Sequence, residues 1–227
     1  MADTYCVAVD EGYHTFRDCT ELPSGPTRQN ALASVLADLN QRAVAGFEGF
    51  AVHAGVVQLG SRTAAIPADS GGGKSTLTAA LVLAGFDYLS DEGLCVDYDT
   101  GAVEPYPKAI SLAPWSRKAL GLDDGTASGS SFERAYSATQ LGGRIGGPGL
   151  LTDIVFPIYD DHSNPDIEPM ARSAAHAKLL KLSFNHFKNP EKAFRLSSEL
   201  VRNADCWEFT YSDPLQAAEF LKAHLSP

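Results

Sequence analysis

Ala68-Asp69-Ser70-Gly71-Gly72-Gly73-Lys74-Ser75-Thr76 is the stretch on which the reading of this chain turns. Three consecutive glycines let backbone N–H groups converge on one point, a lysine then supplies a charge, and a hydroxyl follows. That order of residue types suits the phosphates of a nucleoside triphosphate. Asp69, Ser70, Gly71, Gly72, Gly73, Lys74, Ser75 and Thr76 are the candidate nucleotide-binding residues. Lys74 is suited to the β/γ-phosphates, and Ser75 to a Mg²⁺ ion through its hydroxyl. The strict phosphate-loop pattern has Gly where Ala68 stands, and it is complete at Gly73, Lys74 and Ser75.

The competing explanation is a glycine-rich turn before an ordinary helix, and the flanking sequence argues against it. Upstream, 49–58 is apolar and β-prone, Leu59-Gly60-Ser61-Arg62 reads as a turn, and 63–67 is a short buried strand. Downstream, 75–83 is rich in Ala, Leu and Thr and stops at Gly85, as a helix does. Strand, glycine loop and helix thus occur in the order a phosphate cradle needs. The next strand, 86–90, ends in Asp91-Glu92. Phosphoryl transfer requires a carboxylate to anchor the metal and a group to take the hydroxyl proton, so Asp91 is the candidate base and Glu92 the candidate metal partner. An acidic pair at a strand end is otherwise a solvated turn.

Farther out, 94–98 and 103–106 form a second hairpin around Asp99-Thr100-Gly101, 150–159 is an apolar strand, and 174–182 and 191–201 carry helical spacing. A strand at 207–211 and a helix with Pro214 in its first turn close the sequence. Residues 121–149 are dense in Gly and Ser, which predicts a mobile loop. Near the start, loose alternation over 4–17, a turn-rich segment and a helix over 30–44 suggest a small element, 1–48, packed on a main domain, 49–227.

The bulk properties narrow the partners. With 227 residues, 44% of them hydrophobic, the chain has enough material for one well-buried α/β core. A net charge of −10 with no Lys/Arg run argues against nucleic acid. Cys6, Cys19, Cys95 and Cys206 show neither a C-x-x-C pair nor metal-ligand spacing. No stretch of about 18 uninterrupted apolar residues and no signal sequence is present, so a cytoplasmic protein without a membrane span is expected.

His53-Ala-Gly-Val-Val, Asp69-Ser-Gly-Gly-Gly-Lys-Ser-Thr, Tyr88-Leu-Ser-Asp-Glu and Pro105-Tyr-Pro-Lys together resemble the catalytic domain of HPr serine kinase/phosphorylase and its shorter relatives. Asp153-Ile-Val-Phe-Pro and Leu182-Ser-Phe-Asn-His-Phe extend the resemblance toward the C-terminus. It implies a phosphoenolpyruvate-carboxykinase-like P-loop domain, α/β with a mixed sheet and C-terminal helical elements. It also implies ATP with Mg²⁺ and transfer to a seryl hydroxyl. Asp91 stands where the family has its proton-accepting Asp, Glu92 replaces a second Asp, and His53 matches the family His. Arg144, within Leu141-Gly-Gly-Arg-Ile-Gly-Gly-Pro, resembles the family's mobile loop Arg, which would stabilise charge on the phosphoryl group. The catalytic candidates are therefore Asp91, His53 and Arg144.

Two departures shift the expected acceptor. The family's Arg-Gly-Leu-Gly signature is absent after the acidic pair, and so is the upstream regulatory domain of the longer enzymes. The resemblance is thus to the short relatives, which include kinases of ribosomally made, lasso-type precursor peptides. A serine in a peptide or small protein is the expected acceptor. A homo-oligomer, a small-molecule hydroxyl as acceptor, another nucleoside triphosphate as donor, and a non-catalytic nucleotide switch stay open.

Overall fold

The computed structural model describes residues 4–69, 71–122 and 133–226. These divide into two compact units, Met1–Phe47 and Glu48–Pro227.

The first unit is an antiparallel meander, β1 (Tyr5–Val9), β2 (Tyr13–Arg17) and β3 (Thr20–Gly25), followed by the helix α1 (Arg28–Gly46). Asp18 and Cys19 both take positive φ, so β2 and β3 join through a two-residue turn whose twist matches that of the strands. Thr27 and Asn30 cap α1 reciprocally, each side chain accepting from the other's backbone N–H. Arg17 and Tyr5 both donate to Asp38 of the helix, at 2.6 and 2.7 Å.

The second unit opens with β4 (Phe50–Leu59) and β5 (Arg62–Pro67), then α2 (Lys74–Leu83), β6 (Asp87–Ser90), β7 (Gly93–Val96) and β8 (Ala102–Glu104). Next come β9 (Ile110–Leu112), α3 (Pro114–Ala119), β10 (Arg134–Tyr136), β11 (Gly149–Leu150), β12 (Asp153–Tyr159) and β13 (Asp166–Pro169). The unit ends with α4 (Arg172–Lys181), α5 (Pro190–Asn203), β14 (Asp205–Tyr211) and α6 (Pro214–Leu225). Nine strands form one mixed sheet in the order β11-β8-β7-β4-β5-β12-β14-β13, with β6 also paired to β4. β12 runs parallel to β5 and to β14, and the other pairings are antiparallel.

Alternation along the strands divides the core. Phe50, Val52, Ala54 and Val56 of β4, Ala65 of β5 and Ile154 of β12 bury against α4 and α5 on one face. Val57, Ala64, Ile66 and Val155 bury against α2 and α6 on the other. Away from the phosphate loop, Arg62 grips Asp153 with two hydrogen bonds, and the Trp207 indole donates to the same carboxylate, which pins β5, β12 and β14 in register. Asp213 caps α6 by accepting from the N–H groups of Leu215 and Gln216.

The expected order of strand, loop, helix and strand is present, and so are the three C-terminal helices. The region 121–149 differs from the expected loop. Residues 123–132 lie outside the described residues, but 133–149 contains β10, a 3-10 turn at Thr139–Leu141 and the start of β11. Two of its glycines serve close packing: a Cβ at Gly143 would lie 2.4 Å from Val82 Cγ1, and one at Gly146 2.6 Å from Leu89 Cδ1.

The tightest approach in the sheet region lies under α2. A Cβ on Gly55 of β4 would meet Thr78 Oγ1 at 2.1 Å and Lys74 Cγ at 3.5 Å. Gly55→Ala should therefore destabilise the protein by about 1–3 kcal/mol, since a fully packed contact has nowhere to expand. Adding Thr78→Ala removes the offending oxygen, and the double variant should recover part of the loss in a urea titration. A double variant no more stable than Gly55→Ala would contradict this account of the helix–strand contact.

Candidate phosphate-loop site

β5 ends at Pro67, and the chain turns through the glycines into α2 at Lys74. Gly71 and Gly73 have φ of 81° and 77°, a region that side chains strain to enter, so the loop needs glycine there. Gly73 is the N-cap of α2, and among the described residues no side chain caps it. The first N–H groups of the helix are thus left for a ligand, at the positive end of its dipole. Ser70 lies outside the described residues. Asp69 is exposed, and its carboxylate is 3.6 Å from the Lys181 ammonium.

Register gathers the other candidates at the same edge. Pro67 pairs with Ala54, Ser90 with Val56, and Gly93 with His53, so the end of β5, the end of β6 and the middle of β4 lie level. Asp91 and Glu92 occupy the turn between β6 and β7 beside them. Ser90 Oγ shapes this turn by accepting from the N–H groups of Glu92 and Gly93.

Lys74 is 7% exposed, and no hydrogen bond or ion pair among the described residues closes on its ammonium. Burial lowers its pKa, and the charges of Asp91 and Glu92 only partly oppose that. A buried cation without a direct counter-ion is costly, and a phosphate would supply one. Asp91 is 3% exposed and does have partners. Its Oδ1 accepts from the Tyr88 hydroxyl at 2.9 Å and lies 2.9 Å from Lys108 Nζ, which is also 3.4 Å from Glu92. Burial works against the charge on Lys108, but Asp91, by charge and hydrogen bond, and then Glu92 carry its pKa above the ordinary lysine value. Burial first, and then Asp91, raise the Tyr88 pKa, so the phenol stays protonated and donates.

His53 sits beside this group. Its backbone N–H donates to Leu182 O, and its ring meets Phe184 edge-on at 5.4 Å. Burial, and then the Lys74 charge, push its pKa down to about 4. A neutral imidazole beside the loop adds no positive charge at neutral pH.

Two predicted residues stand elsewhere or face another way. Thr76 is buried and its hydroxyl is 2.8 Å from that of Ser116 on α3, so its side chain joins α2 to α3. Arg144 is not brought to the group. Its carbonyl accepts from Tyr88 N–H, and its guanidinium grips Asp87 with two hydrogen bonds. Asp87 pairs with Gln58 at the far end of β6, about 13 Å of strand from Asp91 at the usual rise per residue. Of the glycines flanking Arg144, Gly143 and Gly146 are packing points against Val82 and Leu89, while Gly142 and Gly147 meet nothing within 4 Å.

Lys108 and Tyr88 are functional candidates that the motifs did not single out. Both lie in quoted stretches, and the signal was the spacing of Tyr88 three residues before Asp91 and of Lys108 after Pro105-Tyr106-Pro107. Ser75 is half-buried at the second position of α2. Among the described residues no group of three or more His, Cys, Asp or Glu side chains is placed to hold a metal. A cation held by Ser75 and Glu92 would take its remaining oxygens from phosphates and water, which is how Mg²⁺ is ordinarily bound.

No family model matches the chain, and no curated protein does. Among solved structures, it is similar to the HPr(Ser) kinase/phosphatase from Coxiella burnetii. That similarity is 10% identity over 77% of this chain and 89% of the other, with a TM-score of 0.38. A likeness at this level says nothing of chemistry, which rests on the residues themselves.

The environment of His53 predicts its titration. Its pKa is about 4 in the folded chain against an ordinary 6.5, so between those values the unfolded chain binds a proton that the folded chain refuses. Stability should fall as pH drops through that window and lose nothing more from His53 below it. The His53 ring proton should titrate near pH 4 by NMR, and His53→Gln should flatten the stability profile between 4 and 6.5. A midpoint near 6.5 would contradict the burial described.

Proposed function

We propose that the chain is an ATP-dependent kinase that transfers the γ-phosphoryl group to a seryl hydroxyl of a peptide or small protein, a ribosomally made precursor peptide being the favoured class. The observation that carries this reading is the buried Lys74 ammonium. It stands at an uncapped helix N-terminus behind a glycine loop, and the acidic pair Asp91-Glu92 lies at the same sheet edge. The seryl acceptor comes from the sequence resemblance to short HPr-kinase-like proteins.

In this reading the N–H groups at the start of α2 and the Lys74 ammonium hold the phosphates of ATP. Mg²⁺ bound through Ser75 and Glu92 would neutralise phosphate charge. The seryl oxygen forms a bond to the γ-phosphorus as the bond to the ADP oxygen breaks, and the seryl proton passes to the Asp91 carboxylate. Tyr88 and Lys108 position the Asp91 carboxylate, one by a hydrogen bond and the other by an ion pair. Neutral His53 packs beside the loop and helps exclude water. Arg144 is given no role in transfer, because its place at Asp87 lies at the other end of β6.

Mass spectrometry of serine-containing peptides, including any precursor peptide encoded beside this protein, after incubation with ATP and Mg²⁺ tests the reading. Wild type should add one phosphate to serine, and Asp91→Asn should lower the rate by about 10²- to 10⁴-fold, the usual contribution of a general base. ATP bound but never transferred would overturn the kinase and leave a nucleotide switch. Equal rates for the two proteins would remove Asp91 from the chemistry.

A further inference from the structure

Tyr211 is the last residue of β14 and is 2% exposed, yet its hydroxyl makes no hydrogen bond among the described residues. The ring is held firmly: it stacks on Phe209 at 5.4 Å and meets Tyr159 edge-on at 5.8 Å. The hydroxyl emerges at the phosphate loop, 3.0 Å from where a Cβ on Gly73 would lie. β14 runs parallel to β12, and β12 to β5, so the ends of these strands share the edge where ligands bind in open α/β sheets. The phenol oxygen keeps access to solvent, and with no acceptor among the described residues its hydrogen is available to a ligand group at the place it faces. That place is the uncapped N-terminus of α2.

We propose that Tyr211 is part of the phosphate cradle, donating its hydroxyl hydrogen to a phosphate oxygen of the bound nucleotide. The inference rests on the nucleotide-binding reading above. Burial raises the phenol's pKa to about 12, so it remains a donor and adds no negative charge beside the phosphates. The contact also gives Gly73 a second reason to lack a side chain, because a Cβ there would crowd the hydroxyl as well as strain the backbone. The residue reads the phosphates and not the base, so its effect should be the same for any triphosphate chain.

The test is calorimetric titration of wild type and Tyr211→Phe with Mg²⁺·ATP and, separately, with Mg²⁺·tripolyphosphate, alongside the melting temperature of each protein without ligand. Tyr211→Phe removes one oxygen and keeps the ring. It should weaken both ligands by about tenfold or more, the usual loss for a hydrogen bond to a charged group, and leave the unliganded melting temperature within a degree or two. Three results overturn the proposal: affinity unchanged for both ligands, affinity lost for ATP alone, which would make Tyr211 a reader of the nucleoside, or a loss that tracks a large fall in melting temperature. The first and second leave the nucleotide-binding reading standing. Failure of wild type to bind either ligand overturns both.

Discussion

The contact between Gly55 and Thr78 sets the position of everything at the candidate site. Because β4 has no side chain at Gly55, α2 lies against the sheet closely enough that its first residue, Lys74, covers the same glycine. The helix start is fixed in this way over the middle of the sheet and level with the ends of β5 and β6. A larger residue would lift the helix, and with it the loop, the lysine and the uncapped N–H groups. The two faces of the sheet carry separate apolar clusters, and the cluster containing α2 and α6 holds the helix down from above. Lys222 of α6 adds a hydrogen bond to Ala84 O at the other end of α2.

Two lysines at this edge are treated in opposite ways. Lys108 is paired, with Asp91 and Glu92 within 3.4 Å, and its pKa is raised. Lys74 is buried with no such partner among the described residues, and its pKa is lowered. An arrangement built for stability alone would pair both or bury neither. That buried charge is a cost that a bound anion would remove. The neutral His53 and the protonated Tyr88 add no charge that would compete with it.

Much of this was legible in the residues. The glycine run, Lys74 and Ser75 announced the loop, apolar runs on either side announced β4, β5 and α2, and the acidic pair fell at the strand end where it was expected. Pro214 and Asp213 marked the start of α6. The partners of these residues depended on register, which no local pattern specifies. Lys108 reaches Asp91 because the segment after β8 returns beside β6, where Tyr106 N–H donates to Leu89 O. Arg144 is carried to Asp87 because 144–146 runs alongside β6 from its beginning. The glycine-rich run around Arg144 suggested a mobile loop, but Gly143 and Gly146 there use their small size to approach Val82 and Leu89. Tyr211 is legible in sequence only as the end of a strand, and the parallel order of β5, β12 and β14 brings it to the loop.

The central claim is that Lys74 is a buried charge waiting for a phosphate. Titrating Mg²⁺·ATP into wild type and Lys74→Met, with the melting temperature of each measured without ligand, tests it most directly. Saturable binding by wild type, its loss in Lys74→Met and a higher unliganded melting temperature for the variant are the expected results, since methionine fills the space without the charge. Equal binding by both proteins, or none by wild type, would contradict the claim.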